Sequence, residues 1–342
     1  MKLFMPQRVI FEPSSLRYPL GQKIYNFFQD KSVEINIVSA RNAAQYISGL
    51  TPAEQYANSK RTILFTLNKS KKLDICRPSA DYQFSLVNNC PGNCEYCYLQ
   101  TTQGTKPYIK AYVNLEDIYQ IIKDHIKLND DTVTTFEVAS GGDPLALEHI
   151  TGSLAKTIEY FSELKNGRLR IVTKYSNVDS LLKLKHNNKT DFRISINSAY
   201  VIDNFEHNTT GLNERIEAII KLANAGYYVG FVVAPIMIYD NWKEEYKSLF
   251  QKLRRYLGDS ISRKELTFEL IQHRFTAAAK KLITQRFPKS KLDMEIENRI
   301  LKWGRFGRYK YVYPQEQVEE IKRYITFLIT ENFSMAYIKY FT

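Results

Sequence analysis

The sequence predicts an α/β protein built around a partial (β/α)6 barrel, and three observations carry that expectation. From about residue 82 onward, short apolar β-rich runs alternate with amphipathic stretches, the pattern of a parallel sheet flanked by helices. There are six such runs, too few for a closed eight-stranded barrel. The motifs with chemical potential follow these runs, and in such folds the reactive groups sit at the carboxyl ends of the strands.

The expected strands are Tyr82 to Val87, Thr134 to Ala139, Leu169 to Lys174, Phe192 to Ile196, Tyr228 to Val233 and Leu266 to Ile271. Between them lie helix candidates such as Leu212 to Ala225. There Leu212, Ile216, Ile219, Ile220 and Ala223 share one face and Gly226 is placed to end the helix. The connection around Val178 to Lys185 is short, so its helix should be a stub. Residues 1–80 show no clean repeat of this pattern and read as a smaller amino-terminal domain. Within them Ser59 to Lys72 is basic, with Lys60, Arg61, Lys69, Lys71 and Lys72. Residues 81–275 form the barrel region. Residues 276–342 form a C-terminal extension, first basic and aromatic, then amphipathic and helical from about Gln315 to Ile329. No repeat of domain-array length and no low-complexity segment interrupts this plan.

A chain of 342 residues, 44% hydrophobic and 25% charged, has the composition of an ordinary globular protein with ample core. Pro6, Gln7 and Arg8 interrupt the amino terminus before a signal-peptide core can form, and no later apolar run reaches membrane-spanning length. A cytoplasmic protein with no membrane contact is expected. The net charge of +12 attracts polyanions, which makes nucleic acid the first partner to test; a merely solvated basic surface is the alternative.

Four cysteines in a reducing compartment do not make a disulfide framework. Cys90, Cys94 and Cys97 are spaced C-x3-C-x2-C within NNCPGNCEYCYLQ, directly after an expected strand. Thiolates this close on a Gly-containing loop can converge on one soft metal centre. A 4Fe-4S cluster normally takes four thiolates, so three leave one iron open for a small ligand. The alternative is a structural zinc site with Cys76 as fourth thiolate, disfavoured because only one C-x2-C knuckle is present.

The three-cysteine motif in this setting resembles that of the radical S-adenosylmethionine enzymes. The runs CEYCYLQTTQGTKPYIKAYVN, RLRIVTKYSNVDSLL, FRISINSAYVIDNFE, GFVVAPI and TFELIQHRFT narrow the resemblance to the spore photoproduct lyase family, over nearly the whole chain. That resemblance implies a radical S-adenosylmethionine barrel and a carbon–carbon lyase of the spore core that serves germination. Its substrate would be double-stranded DNA carrying a thymine dimer lesion, in which a thymine methyl carbon is bonded to C5 of the neighbouring base. It also implies a monomer fed by an electron donor such as flavodoxin or ferredoxin.

Carried over position by position, the resemblance makes Cys90, Cys94 and Cys97 the 4Fe-4S ligands. It places Gly142 and Asp143 near the amino group of S-adenosylmethionine, and Lys174 and Ser195 near its carboxylate and ribose. Tyr96 and Tyr98 would relay a radical between substrate and cofactor. The implied reaction removes a hydrogen atom from C6 of the lesion with a 5'-deoxyadenosyl radical, breaks the methylene bridge, and quenches the resulting allylic radical. Much of the family quenches it with a cysteine in the motif F-E-x-x-C, but here the segment is Phe136-Glu137-Val138-Ala139-Ser140. A serine O–H is far too strong to serve, and Cys76 is the remaining thiol, so Cys76 is the expected hydrogen donor, against the alternative of a small buried hydrophobe. Residues Trp303 to Tyr313 alternate cations with rings around Gly304 and Gly307. They read as a hairpin in which Arg305, Tyr309 and Lys310 bind substrate DNA, cations on phosphates and rings on bases, wedging the damaged pair outward. Packing of those rings on the barrel is the alternative. Asp240, Gln272, His273 and Arg274 follow expected strands without an assignable role. Two further readings stay open: another radical S-adenosylmethionine enzyme acting on nucleic acid, or a DNA-damage binding protein with a structural metal.

Overall fold

The computed structural model describes residues 3–104, 106–129, 131–262, 265–303 and 309–342. It divides into two compact units, one of Met1–Pro91, Gln103–Phe192 and Ala225–Tyr228, the other of Gly92–Thr102, Arg193–Asn224 and Val229–Thr342.

The first unit opens with strands β1 (Arg8–Phe11), β2 (Glu34–Ile37) and β3 (Thr62–Thr66), followed by β4 (Asp74–Ile75), β5 (Tyr82–Gln83), β6 (Val87–Asn88) and β7 (Ile109–Tyr112). One sheet has the order β2-β1-β3-β7-β6 and is parallel except where β6 runs antiparallel to β7. Val9, Ile10 and Phe11 of β1 are fully buried, the continuous apolar run a central parallel strand requires. Phe11 stacks on Phe65 of β3 at 4.8 Å, and Phe28 of helix Pro19–Gln29 reaches the same ring at 6.1 Å. Helix Pro52–Lys60 leads into β3 and is started by a capping box, Thr51 and Glu54 satisfying each other's backbone N–H groups. Residues 1–80 therefore do alternate strand and helix, contrary to expectation. The pattern was faint because β2 is a half-exposed edge and helix Pro52–Lys60 is mostly polar.

The same unit adds β8 (Thr134–Glu137), β9 (Gly167–Thr173) and β10 (Thr190–Ile196), which leaves it after Phe192. These give the run β4-β5-β8-β9-β10, with β5, β8 and β9 mutually parallel and β4 antiparallel to β5. The expected first strand, Tyr82 to Val87, is thus two strands in two sheets. Beyond the Phe84 N–H, which still reaches Glu137 O, Ser85 O takes the Asn68 side-chain amide and Leu86 O takes the Tyr112 N–H. The expected stub after β9 is a short 3-10 turn, Asp179–Leu181.

In the second unit the rest of β10 is followed in the sheet by β11 (Tyr228–Ile236) and β12 (Thr267–Gln272), parallel to each other. Helix Leu212–Asn224 turns its apolar face inward and stops before Gly226, whose φ of 87° suits a helix exit. Strands β13 (Ile300–Trp303) and β14 (Tyr309–Val312) pair antiparallel and are tied to the segment that follows β12 by reciprocal backbone bonds between Phe275 and Tyr311. Helix Gln315–Asn332 leads into β15 (Tyr337–Phe341), a parallel neighbour of β12 that the sequence reading did not anticipate. The fold class is the expected one: α/β, with an open, largely parallel sheet. Among the described residues no helix is long and apolar enough to cross a membrane.

Candidate functional site

The cysteine loop leaves β6 through Asn89, whose φ of 67° lies in the left-handed region that Asn tolerates better than most residues. Asn89 is buried and fully engaged. Its backbone N–H donates to Gly141 O at 2.6 Å and its side-chain amide donates to Pro107 O. Its Oδ1 accepts from the Cys90 N–H at 2.9 Å and from Lys60 Nζ at 2.6 Å. Gly141 and Gly142 meet this segment so closely that a Cβ on Gly142 would lie 2.4 Å from Asn89 O, and one on Gly141 2.5 Å from Asn88 Oδ1. Gly142 thus has a packing reason to lack a side chain, independent of any cofactor.

In the second unit, Cys94 is buried and the Cys97 N–H closes a turn onto its carbonyl at 3.2 Å. Gln100 donates to the same carbonyl, and Arg286 donates to Gln100 Oε1 at 2.6 Å. Backbone bonds from Asn93 to His207 and from Glu95 to Phe205 align the loop, and the His207 imidazole reaches the buried Glu95 carboxylate at 2.7 Å. No three His, Cys, Asp or Glu side chains among the described residues are already gathered as a metal site. The three thiols are singled out by their donor type and spacing.

Asp143 closes the second strand's exit onto the third's. Its carboxylate accepts from Thr173 Oγ1 at 2.9 Å and from the Lys174 N–H at 3.1 Å. Burial pushes its pKa up to about 6 against the opposing pull of these donors. Lys174 is half-buried at the end of β9; Ser195 is buried in β10 and its carbonyl accepts from Arg215 Nη1 at 2.9 Å.

Cys76 lies just past β4, its Sγ 3.3 Å from Ser140 Oγ and 3.3 Å from Ser79 Oγ. Ser140 donates in turn to Glu137, which is buried against Arg170 at 2.7 Å. Burial and the Glu137 charge push the Cys76 thiol up, so it stays S–H at neutral pH.

The two tyrosines beside the cysteines are not equivalent. Tyr96 donates its phenol to Glu206, which pairs with the fully buried Arg215 at 2.5 Å. Burial and then the Glu206 charge hold the phenol far above its usual range. Tyr98 is 61% exposed.

On the hairpin, Trp303 and Tyr309 face each other in register, edge to face at 4.8 Å, both more than half exposed. Lys310 is half-buried, and burial and Arg274 pull its pKa down. Arg305 lies outside the described residues, as does the rest of 304–308. His273 is buried and neutral, its pKa lowered to about 3 by desolvation and Arg299, while Asp240 is exposed. The sequence reading counted Lys60 only as part of a basic stretch and gave Asn89 no role.

Comparison with known proteins gives a consistent family. The model of the family described as spore photoproduct lyase matches residues 4–342. The spore photoproduct lyase of a Geobacillus species is 46% identical over 342 residues, all of both chains, and that of Bacillus subtilis 44% over 339 residues, 99% of each. A solved spore photoproduct lyase complexed with dinucleoside spore photoproduct superposes with a TM-score of 0.96 at 45% identity, covering 100% of both chains. A double mutant with bound S-adenosylmethionine and the same dinucleoside matches equally well. Its cysteine-to-alanine and serine-to-cysteine changes carry the numbers borne here by Ser140 and Cys76.

The Asp143 environment makes one stability prediction. A carboxyl with a folded pKa of about 6, raised above an unfolded value of about 3.9, holds its proton more tightly in the folded chain. Its contribution is complete below the unfolded value and is lost as pH rises through about 6. The stability difference between the parent and Asp143→Asn should therefore shift against the parent, by at most roughly 3 kcal/mol, between pH 4 and pH 7.5 in denaturant titrations. A difference that stays constant over that range would mean that Asp143 is already ionised in the folded chain at pH 4.

Proposed function

The chain belongs to the spore photoproduct lyase family, and from that membership we propose that it repairs the thymine lesion of ultraviolet-damaged DNA, returning two thymines. Three cysteine thiols in one short motif are the soft donor set an iron–sulfur cluster takes, with one iron left for a small chelating ligand. When bound and reduced by a flavodoxin- or ferredoxin-type donor, the cluster and S-adenosylmethionine supply a 5'-deoxyadenosyl radical, which takes the hydrogen atom at C6 of the lesion. Cys90, Cys94 and Cys97 would hold the cluster. The Lys174 ammonium suits the cofactor's carboxylate and the Ser195 hydroxyl its ribose. Asp143 would keep the two strand ends beside them at a fixed separation, and Gly142 would leave backbone accessible to the amino group.

The observation that carries the reading of the last step is the 3.3 Å separation of Cys76 Sγ and Ser140 Oγ. A thiol stands within one contact of the residue that replaces the family's cysteine. The allylic thymine radical takes the hydrogen of the Cys76 S–H, forming the methyl C–H bond and leaving a thiyl radical. A hydrogen atom from the tyrosine pair would return the thiyl to thiol, leaving a tyrosyl radical that takes its hydrogen back from the 5'-deoxyadenosine formed in the first step. Tyr96, kept as phenol by burial and Glu206, is suited to give a hydrogen atom rather than a proton. The thiol's raised pKa supports the same role, since a thiolate has no hydrogen to give.

For the substrate, the exposed Trp303–Tyr309 pair offers rings that can stack on unpaired bases, with Lys310 and the aligned Lys302 for phosphates; Arg305, two residues on from Trp303 in sequence, is a further candidate cation. Turning a lesion out of a duplex costs a few kcal/mol, less for a damaged pair.

Three experiments test this function. The anaerobically reconstituted parent should be brown, cleave S-adenosylmethionine under reduction and convert dinucleoside spore photoproduct to thymine; Cys94→Ala should lose all three properties, and retention of cleavage would exclude the cluster assignment. Lys310→Ala should bind lesion duplex more weakly with a salt slope lower by about one, leaving uncoupled S-adenosylmethionine cleavage intact; an unchanged slope moves the DNA surface elsewhere. Cys76→Ala should keep its iron and its hydrogen abstraction yet lose most thymine yield to reductant adducts, with Ser140→Cys restoring it. Normal yield from Cys76→Ala would remove that thiol from the mechanism.

A further inference from the structure

Lys60 belongs, by sequence, to a basic stretch that ought to face solvent, yet it is 6% exposed. It is the last residue of helix Pro52–Lys60, and its position is fixed on both sides. The capping box at Thr51 starts the helix, Ser59 donates to Gln55 O at 2.7 Å, and Arg61 O accepts from the Gln7 N–H at 2.9 Å just before the fully buried β3. From this rigid base the ammonium donates to Asn89 Oδ1 at 2.6 Å and to Cys90 O at 2.7 Å, with the Tyr56 ring centroid 5.6 Å away.

Removing an ammonium from water costs several kcal/mol, a cost usually offset by a carboxylate. Among the described residues Lys60 has no carboxylate partner; its acceptors are one neutral amide and the peptide carbonyl of Cys90. A neutral donor would satisfy those two oxygens as well. What a lysine adds is an unscreened positive charge against the backbone of a cluster ligand, where nearby charge and hydrogen bonding govern ligand orientation and reduction potential.

We propose that Lys60 is a positioning residue for the cluster loop: it fixes the backbone entering Cys90 and raises the reduction potential of the cluster held there. The proposal rests on Cys90 being a cluster ligand. Positive charge beside the cluster stabilises its reduced form, the form from which an electron passes to S-adenosylmethionine. The double clamp on Asn89 and Cys90 also holds the backbone that carries the first thiol.

The test uses the full chain reconstituted anaerobically with iron and sulfide, comparing Lys60→Met, Lys60→Gln and Lys60→Arg with the parent. Midpoint potentials come from redox titration followed by electron paramagnetic resonance, and the metal-free proteins are melted in parallel. The Met and Gln variants should titrate at more negative potential and show an altered signal with S-adenosylmethionine, and Arg should restore most of the shift. A Met variant that folds but loads no iron supports the positioning role equally, and if it fails to fold, the Gln variant carries the measurement. Parent-like potential and signal in both neutral variants would overturn the proposal while leaving the cluster reading intact. A parent that binds no iron, with Cys90→Ala indistinguishable from it, would instead overturn the reading on which the proposal rests.

Discussion

The first unit depends on one close approach, the passage of Asn88–Asn89 across Gly141–Gly142. The Asn89 N–H reaches Gly141 O at 2.6 Å, and Asn89 pairs with Gly142 as an isolated parallel bridge. Gly142 has no room for a Cβ against the Asn89 backbone, and one on Gly141 would displace the Asn88 side chain. This contact joins the entry of the cysteine loop to the exit of the second barrel strand, and Asp143, the next residue, joins that exit to the third. Residues far apart in sequence are set at fixed separations by backbone and by one buried carboxylate. The proposed cluster, cofactor and radical chemistry would benefit from such rigidity, because misdirected radicals react with whatever lies nearest.

Much of this was legible in the sequence, for definite reasons. The cysteine spacing is a local pattern whose meaning does not depend on distant partners, whereas Gly142, Asp143 and Lys174 were singled out only by the family resemblance. Five of the expected strands, β8 to β12, were found because parallel strands read as continuous apolar runs, whereas Tyr82 to Val87 is divided between two sheets. What escaped notice depends on partners. Lys60 looked solvated because its acceptors are contributed by residues twenty-nine and thirty positions away. The inequivalence of Tyr96 and Tyr98 rests on Glu206, 110 residues beyond Tyr96. The first sheet was obscured by a polar helix and an exposed edge strand, and β15 by its short, half-buried alternation.

Exchanging thiol and hydroxyl between two touching positions changes less than the replacement of a cysteine by serine at Ser140 suggests. Ser140 keeps a role suited to oxygen, donating to Glu137, whose charge is held by Arg170. Cys76 takes the position one contact outward, where the Glu137 charge and burial both oppose ionisation. Were the order reversed, the thiol would itself be the direct donor to that carboxylate, and a thiol is the weaker donor of the two. The arrangement present gives the strong donor to the buried charge and keeps the thiol one contact away from it, as the proposed hydrogen-atom role would require.

The second unit applies the same principle to a phenol. A buried ion pair seldom adds net stability over well-packed apolar residues, so Arg215–Glu206 needs another explanation. Arg215 spans from Glu206 to the carbonyls of Ser195 and Thr210, and Glu206 receives the Tyr96 phenol. One guanidinium therefore sets both the direction of the tyrosine and the backbone of the strand that carries Ser195. Its charge lowers the phenol's pKa, yet burial and Glu206 outweigh it and keep the proton on oxygen. A tyrosine that cannot release its proton alone can still release proton and electron together, which is the property a radical relay needs.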